Sequence, residues 1–167
     1  MTHGKQHAVS WHVDDLKGSH ADPKVNDEFQ EWLQQEFGQI KEVTGTRGKR
    51  HVCLGMTLDH STPGEVKVDM TSYVDEMIRD CPIELDGKAA TVSNEHLFDT
   101  TKGKRLGEAK QEAFHATVAK ALFLTMRSRP DIRLVVAFLC TRVKEPTTYN
   151  WFKLNRMMNF LCRTRKE

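Results

Sequence analysis

Two adjacent carboxylates, Asp14 and Asp15, lie between the short apolar segments that end at Val13 and resume at Leu16. This pattern predicts a β-hairpin with both aspartates at its tip. Two carboxylates held this close repel each other unless a cation compensates them, and Mg²⁺ prefers such hard oxygen ligands. The pair is therefore suited to one wall of a two-metal site for phosphoryl transfer. Because Asp also favours turns for backbone reasons, an ordinary turn stays open as the alternative.

Further motifs follow this pair in a specific order. Val13-Asp14-Asp15 resembles the catalytic hairpin of reverse transcriptases, and Cys53-Leu54-Gly55-Met56 resembles their primer-grip segment. Later segments resemble motifs of copia-type elements: Phe114-His115 with Val118-Ala119, Arg129-Pro130-Asp131-Ile132, Pro146, Trp151, and Phe160-Leu161-Cys162-Arg163-Thr164. Each motif is weak alone, but the ordered set covers nearly the whole chain. It resembles the polymerase of Ty/copia-type LTR retrotransposons.

The resemblance implies an RNA-directed DNA polymerase that acts on an RNA template, a DNA primer and deoxynucleoside triphosphates. It implies Mg²⁺, with Mn²⁺ as an alternative, bound by Asp14 and Asp15 as the catalytic carboxylates. By the same resemblance, His12, Val13 and the segment Cys53, Leu54, Gly55 and Met56 would lie near the nucleotide and the primer. His12 stands where these enzymes usually carry Tyr, and this departure either changes nucleotide positioning or is a tolerated replacement.

The resembling polymerases anchor both metal ions with three carboxylates, and the third comes from an earlier palm strand. Only thirteen residues precede Asp14, so we expect the fingers and the first catalytic aspartate to be absent. We expect the RNase H domain, which would follow Thr164, to be absent too. Little or no polymerase activity is therefore predicted for this chain alone. The alternative is a catalytically dead remnant that acts at most as a nucleic-acid-binding or interaction module.

Composition excludes several other classes of protein. Hydrophobic residues at 38% and charged residues at 29% are typical of a soluble globular protein. No apolar signal segment follows Met1, and the longest apolar run, Leu134 to Cys140, is too short to span a bilayer. Four cysteines without a C-x-x-C pair favour a reduced compartment. We expect an intracellular protein without membrane contact, which the resemblance places in cytoplasmic virus-like particles or in the nucleus.

Charge is distributed unevenly along the chain. From Arg127 to Glu167, ten Lys and Arg residues stand against three acidic ones, a net charge of +7. A basic region of this kind suits a phosphate backbone, although solvated helix faces are also often basic. The candidate backbone contacts are Arg127, Arg129, Arg133, Arg142 and Lys144. The oligomeric state is left open.

Periodicity predicts an α+β fold: a partial polymerase palm with a catalytic β-hairpin and a small antiparallel sheet, followed by an all-helical half. Asp22 and Pro23 begin a helix that Gly38 ends, and its aromatic residues are expected in the core. Further strands are predicted at 40–43, 51–58 and 65–70, and helices at 71–81, 108–128, 131–142 and from Pro146 onward. The predicted parts are 1–81 (palm and thumb side), 82–106 (linker) and 107–167 (helical connection region).

Overall fold

The computed structural model describes residues 4–100 and 103–166 and divides into two compact units, Met1–Lys67 and Val68–Glu167. The strands are β1 Ala8–His12, β2 Asp15–Ser19, β3 Arg50–Cys53, β4 Met56–Asp59 and β5 Lys67–Asp69. The helices are α1 Pro23–Phe37, α2 Thr71–Arg79, α3 Glu108–Thr125, α4 Arg133–Cys140 and α5 Thr148–Arg163, with a 3₁₀ turn at Pro130–Ile132. The coarse α+β class predicted from the sequence is confirmed.

The first unit holds two antiparallel hairpins and one helix. We call β1–β2 the aspartate hairpin and β3–β4 the leucine-glycine hairpin. The second sheet has the strand order β3-β4-β5. Among the described residues of this unit, the fully buried apolar side chains are only Val25 and Leu58, so its core is thin.

Helix α1 begins and ends as predicted. The Asp22 side chain accepts a hydrogen bond from the backbone N–H of Lys24, Pro23 occupies the first helical position, and Gly38 is the C-cap. The prediction that its aromatic residues are core anchors was wrong, because Trp32 and Phe37 are 48% and 50% exposed. They stack within a surface aromatic row that also includes Phe29.

The strand predicted at 40–43 was also wrong, since residues 41–48 form neither helix nor strand. Side chains of α1 hold this segment instead. Gln34 accepts a hydrogen bond from the backbone N–H of Val43 (2.8 Å), and Arg47 reaches Asp27 (2.9 Å) and Gln30 (2.8 Å). The contact of Gln34 satisfies the backbone N–H of Val43 without a second strand, and the contacts of Arg47 tie the side chains of the segment to α1.

The second unit, which we call the helical unit, contains α2 to α5 and most of the buried apolar surface. Helix α3 packs on α4, and α2 packs on α5. Apolar residues at helical spacing form its core, and the following are all at most 1% exposed: Phe114, Val118, Ala121, Leu154, Met157, Met158 and Leu161. Thr147 begins α5 with a capping box in which the hydroxyl of Thr147 and the side chain of Asn150 satisfy each other's backbone N–H.

The compact units meet between Lys67 and Val68. The predicted division into a palm and thumb side, a linker and a connection region concerns function and stays a prediction. Residues 82–100 and 103–106 contain no helix and no extended strand, and only Arg105 forms an isolated bridge, to Thr147. Two backbone N–H groups of this segment, those of Asp86 and Gly87, donate to the side chain of Asn159 on α5 (2.7 and 2.9 Å). The segment is therefore anchored within the helical unit.

Candidate active-site hairpin

The aspartate hairpin has a turn of two residues, Val13 and Asp14, and Asp15 is the first residue of β2. Its register pairs His12 with Asp15 and Ser10 with Lys17. The hairpin and its tip were predicted from the sequence. Both carboxylates are exposed, and within residues 4–100 and 103–166 no hydrogen bond or ion pair engages either of them. Two exposed carboxylates on consecutive residues therefore stand at the tip with no partner among the described residues.

Val13, beside the two carboxylates, is one of two non-glycine residues with a positive φ among the described residues, the other being Leu54. Val13 has φ +54°, the left-handed region that β-branched residues rarely adopt. A positive φ at the first turn residue is typical of a type II′ hairpin turn, where Gly is the usual occupant. The indole N–H of Trp11 donates to the carbonyl oxygen of Val13 at 2.6 Å and fixes the strained turn. Strain of this kind costs on the order of 1–3 kcal/mol and clusters at functional sites.

Apolar side chains at this tip are unusually exposed. Trp11 is 74% exposed and Val13 is 81% exposed. Neither contributes to the core of the first unit, although the indole N–H of Trp11 has its hydrogen bond. The sequence analysis missed the role of Trp11, and the only signal for it was a Trp placed two residues before a tight turn.

Alternation along the strands determines which face of the hairpin each side chain occupies. Because directly paired residues share a face, His12 lies on the same face as Asp15, and Ser10 and Lys17 lie there too. Trp11 and Leu16 form a pair on the opposite face. His12 is therefore placed next to Asp15, while Asp14 belongs to the turn.

A third acidic ligand does not join the pair. No group of three or more His, Cys, Asp or Glu side chains with metal-binding arrangement occurs in the part of the chain that the structure describes. Asp59 accepts from Ser61 N–H (2.8 Å) and pairs with Arg50 (3.6 Å). The hydrogen bonds from Ser61, aided by the charge of Arg50, lower the pKa of Asp59. Asp69 accepts from the first backbone N–H of α2, that of Thr71 (2.8 Å).

The segment predicted to lie near the primer forms a tight turn. Leu54 and Gly55 have φ +51° and +72°, so they are the two central residues of a type I′ turn, and Cys53 pairs with Met56. The continuous strand predicted over 51–58 was wrong for this reason. Gly55 is needed for its positive φ at the turn and not for close approach within a strand.

The five basic candidates of the C-terminal region differ in their exposure. Arg133 and Lys144 are exposed, whereas Arg127 and Arg142 are partly buried against the rings of Phe123 and Phe138. Arg129 requires a correction, because it is only 7% exposed. Its guanidinium donates to both carboxylate oxygens of Asp131 (2.9 and 2.7 Å) and to Thr164 Oγ1 and O (2.6 and 3.0 Å). Arg129 is thus committed to the interior and cannot contact a phosphate backbone.

Comparisons of the chain with protein-family models, with curated proteins and with solved structures find no match. Among the helices of residues 4–100 and 103–166, none has the length and apolarity needed to cross a membrane.

Proposed function

We propose that this chain is the palm-end, thumb and connection part of an RNA-directed DNA polymerase of the Ty/copia type. The observation that carries the proposal is the aspartate hairpin. Asp14 and Asp15 stand exposed and uncompensated at its tip, next to a strained Val13 whose carbonyl is fixed by Trp11. An exposed pair of hard oxygen donors is suited to contribute ligands to a two-metal phosphoryl-transfer site.

The residues present fit part of a metal site. Asp14 and Asp15 would hold a divalent cation, Mg²⁺ or Mn²⁺, which when bound neutralises charge on phosphate oxygens. The hairpin's contribution is to place the two residues next to each other at its tip, through a two-residue turn with a defined register. His12 shares the face of Asp15 and would border the nucleotide and the primer end.

The leucine-glycine hairpin supports the same proposal. Its type I′ turn holds Leu54 and Gly55 at a tip, with Cys53 and Met56 paired beneath them. By the resemblance to the primer-grip segment, this tip would lie near the primer end. In the helical unit, Arg133 and Lys144 are the exposed cations that we propose to contact the nucleic-acid backbone.

A second candidate function is favoured by the missing third ligand. Since the described residues hold no group of three metal-binding side chains, the hairpin alone would bind a divalent cation weakly. In that case the chain would act as a nucleic-acid-binding or interaction module without nucleotidyl transfer. The two candidates differ in whether the aspartates contribute to the complex with template and primer.

The test is binding and extension of a primed RNA template, with and without Mn²⁺, by the full chain and by an Asp14→Asn/Asp15→Asn variant. A matched control removes two other exposed acids of the same unit, Glu42→Gln/Glu65→Gln. We expect little extension, salt-sensitive binding, and at least a several-fold tightening by Mn²⁺ that only the aspartate variant loses. Tightening that is equal in all three proteins would favour the second candidate. Failure of all three to bind the primed template would contradict the polymerase proposal and the nucleic-acid-binding form of the second candidate, leaving the interaction module.

A further inference from the structure

The dihedral angles define the type of the turn that joins the two strands of the aspartate hairpin. The turn runs from His12 to Asp15, with Val13 and Asp14 as its two central residues. Val13 has φ +54°, and Asp14 is not among the described residues with a positive φ. A type I′ turn needs a positive φ at both central residues, whereas a type II′ turn needs it only at the first. The turn is therefore of type II′.

The sequence of the turn does not by itself select type II′. Types I′ and II′ differ in the orientation of the peptide group between the two central residues, here the Val13–Asp14 peptide. When this peptide turns over from type II′ to type I′, the second central residue takes a positive φ. Asp adopts the left-handed region more readily than most residues, so type I′ is accessible to Asp14. Val13 is disfavoured in both types, because both require its positive φ.

Trp11 makes a contact that distinguishes the two turn types. Its indole N–H donates to the carbonyl oxygen of Val13 at 2.6 Å, and this oxygen belongs to the central peptide of the turn. Turning the peptide over would carry the oxygen away from the indole and break the hydrogen bond. Because donor and acceptor lie only two residues apart, the bond closes a short loop and orders little additional chain.

Burial does not account for the placement of Trp11. Its side chain is 74% exposed, and that of its cross-strand partner Leu16 is 38% exposed. A tryptophan that served only in packing would bury most of its ring, since burial of apolar surface is what makes such a residue stabilising. The hydrogen bond to Val13 is the contact through which Trp11 acts on the tip.

We propose that Trp11 is a positioning residue for the aspartate pair. Through the carbonyl group of Val13 it holds the turn in type II′, and this conformation sets the backbone from which the Asp14 side chain projects next to Asp15. In a type I′ turn the φ of Asp14 changes sign, so its side chain leaves the backbone in a different direction. The effect on the turn does not depend on the proposed function, whereas the effect on a bound cation rests on it.

NMR on the full chain tests the turn without metal or template. The amide protons of residues 13 and 14 are close together in a type I′ turn and far apart in type II′, because the peptide between them is turned over. We expect a weak nuclear Overhauser effect between them in the wild type. It should be at least three-fold stronger in Trp11→Phe, which keeps an aromatic ring but has no N–H. Adding Val13→Gly to Trp11→Phe should weaken it again, because Gly at the first central position favours type II′.

A second measurement examines whether the turn type matters for the cation. The Mn²⁺ concentration that broadens the amide signals of residues 12–16 by half should rise at least three-fold in Trp11→Phe. It should return to the wild-type value in Trp11→Phe/Val13→Gly. The matched control is Trp32→Phe, which removes an exposed indole of α1 and should behave as the wild type in both measurements.

Four results would overturn the positioning role. They are an unchanged effect between residues 13 and 14 in Trp11→Phe, no reversal by Val13→Gly, a changed turn with unchanged Mn²⁺ broadening, and loss in Trp11→Phe of the cross-strand contacts between Ser10 and Lys17. The last result would mean that Trp11 holds the whole hairpin together. If the turn responds to Trp11→Phe as expected but Mn²⁺ does not broaden the tip even in the wild type, the role of Trp11 in the turn stands and the proposed function fails.

Discussion

Replacing Asp131 by Asn is expected to destabilise the helical unit by about 2 kcal/mol. Asp131 accepts two hydrogen bonds from the guanidinium of Arg129, at 2.9 and 2.7 Å, and Arg129 is only 7% exposed. A hydrogen bond to a charged group contributes about 1.5–3 kcal/mol. The side chain of Asp131 is 43% exposed, so water replaces part of the loss and the sum for two bonds falls to about 2 kcal/mol.

A double-mutant cycle isolates this pair. Arg129→Met removes the buried charge together with its bonds to Asp131 and Thr164, and the Asp131 carboxylate that loses its partner is 43% exposed, so water can hydrate it. In the Arg129→Met background, Asp131→Asn should then lower the free energy of unfolding by less than about 0.5 kcal/mol, because no buried cation is left unpaired. The coupling energy expected from the cycle is about 1.5 kcal/mol.

The assay is urea unfolding followed by Trp151 fluorescence, in a Trp11→Phe/Trp32→Phe background that leaves one reporter in the helical unit. Arg129 lowers the pKa of Asp131, so the stability that the pair contributes is complete above the unfolded pKa of Asp, about 3.9. It is lost as pH falls through the lower folded value, and Asp131→Asn should remove this acid-dependent part. Additive effects of the two substitutions would refute the account of a buried network.

The same variants test whether Arg129 is interior and not part of a nucleic-acid surface. Arg129→Met should leave the salt dependence of nucleic-acid binding unchanged, whereas Arg133→Gln and Lys144→Gln should each reduce the slope by up to about one unit. A reduced slope in Arg129→Met, with stability unchanged, would contradict the assignment drawn from its hydrogen bonds.

Three further predictions concern single positions. Val13→Gly should stabilise the aspartate hairpin by about 0.5–1 kcal/mol, because the relief of about 1–2 kcal/mol of backbone strain exceeds the entropic cost of Gly. Amide hydrogen exchange in β1 and β2 measures this, and faster exchange in the variant would contradict the prediction. Gly55→Ala should destabilise the leucine-glycine hairpin by about 1 kcal/mol, because Ala is strained at a positive φ. Unchanged amide hydrogen exchange in β3 and β4 would argue against the type I′ turn. Burial raises the pKa of the Cys81 and Cys140 thiols, so iodoacetamide should label both slowly at pH 7.5 and faster as the pH rises to 9. Mass spectrometry measures the labelling rate, and labelling as fast as that of free cysteine would contradict this prediction.

The elements that the sequence predicted well have strong local signals. Helix α1 is defined by Asp22, Pro23 and Gly38, and α5 by the capping residues that precede it. In the helical unit, periodic apolar positions such as Phe114 and Leu154 lie in the core, because one face of each helix is buried against another helix, whereas Leu122 on α3 is 44% exposed.

Other features depend on information that a local pattern does not contain. The strand expected at 40–43 fails because side chains of α1 satisfy the backbone there, and the turn at Leu54-Gly55 interrupts an apolar run that would suit a strand equally well. Arg129 looks like any basic surface residue until Thr164, 35 positions away, is seen to bind it. A side-chain contact between Lys17 on β2 and His60, directly after β4, is equally non-local.

The aspartate pair was predicted from residue type and spacing, and the structure adds the turn and the strand register that position the two residues. Hydrogen bonding of Trp11 to the strained Val13 was invisible in the sequence, because an indole N–H can find many partners. The face shared by His12, Asp15 and Lys17 follows from the register, which in turn depends on where the two-residue turn begins.

The central claim is that the tip of the aspartate hairpin binds a divalent cation. The most direct test is paramagnetic broadening by Mn²⁺ in ¹H–¹⁵N spectra of the full chain and of Asp14→Asn/Asp15→Asn, with Glu42→Gln/Glu65→Gln as the control. The account predicts broadening centred on residues 12–16 in the wild type and the control, and its loss in the aspartate variant. Broadening spread over many exposed acids, and unchanged in the aspartate variant, would contradict it.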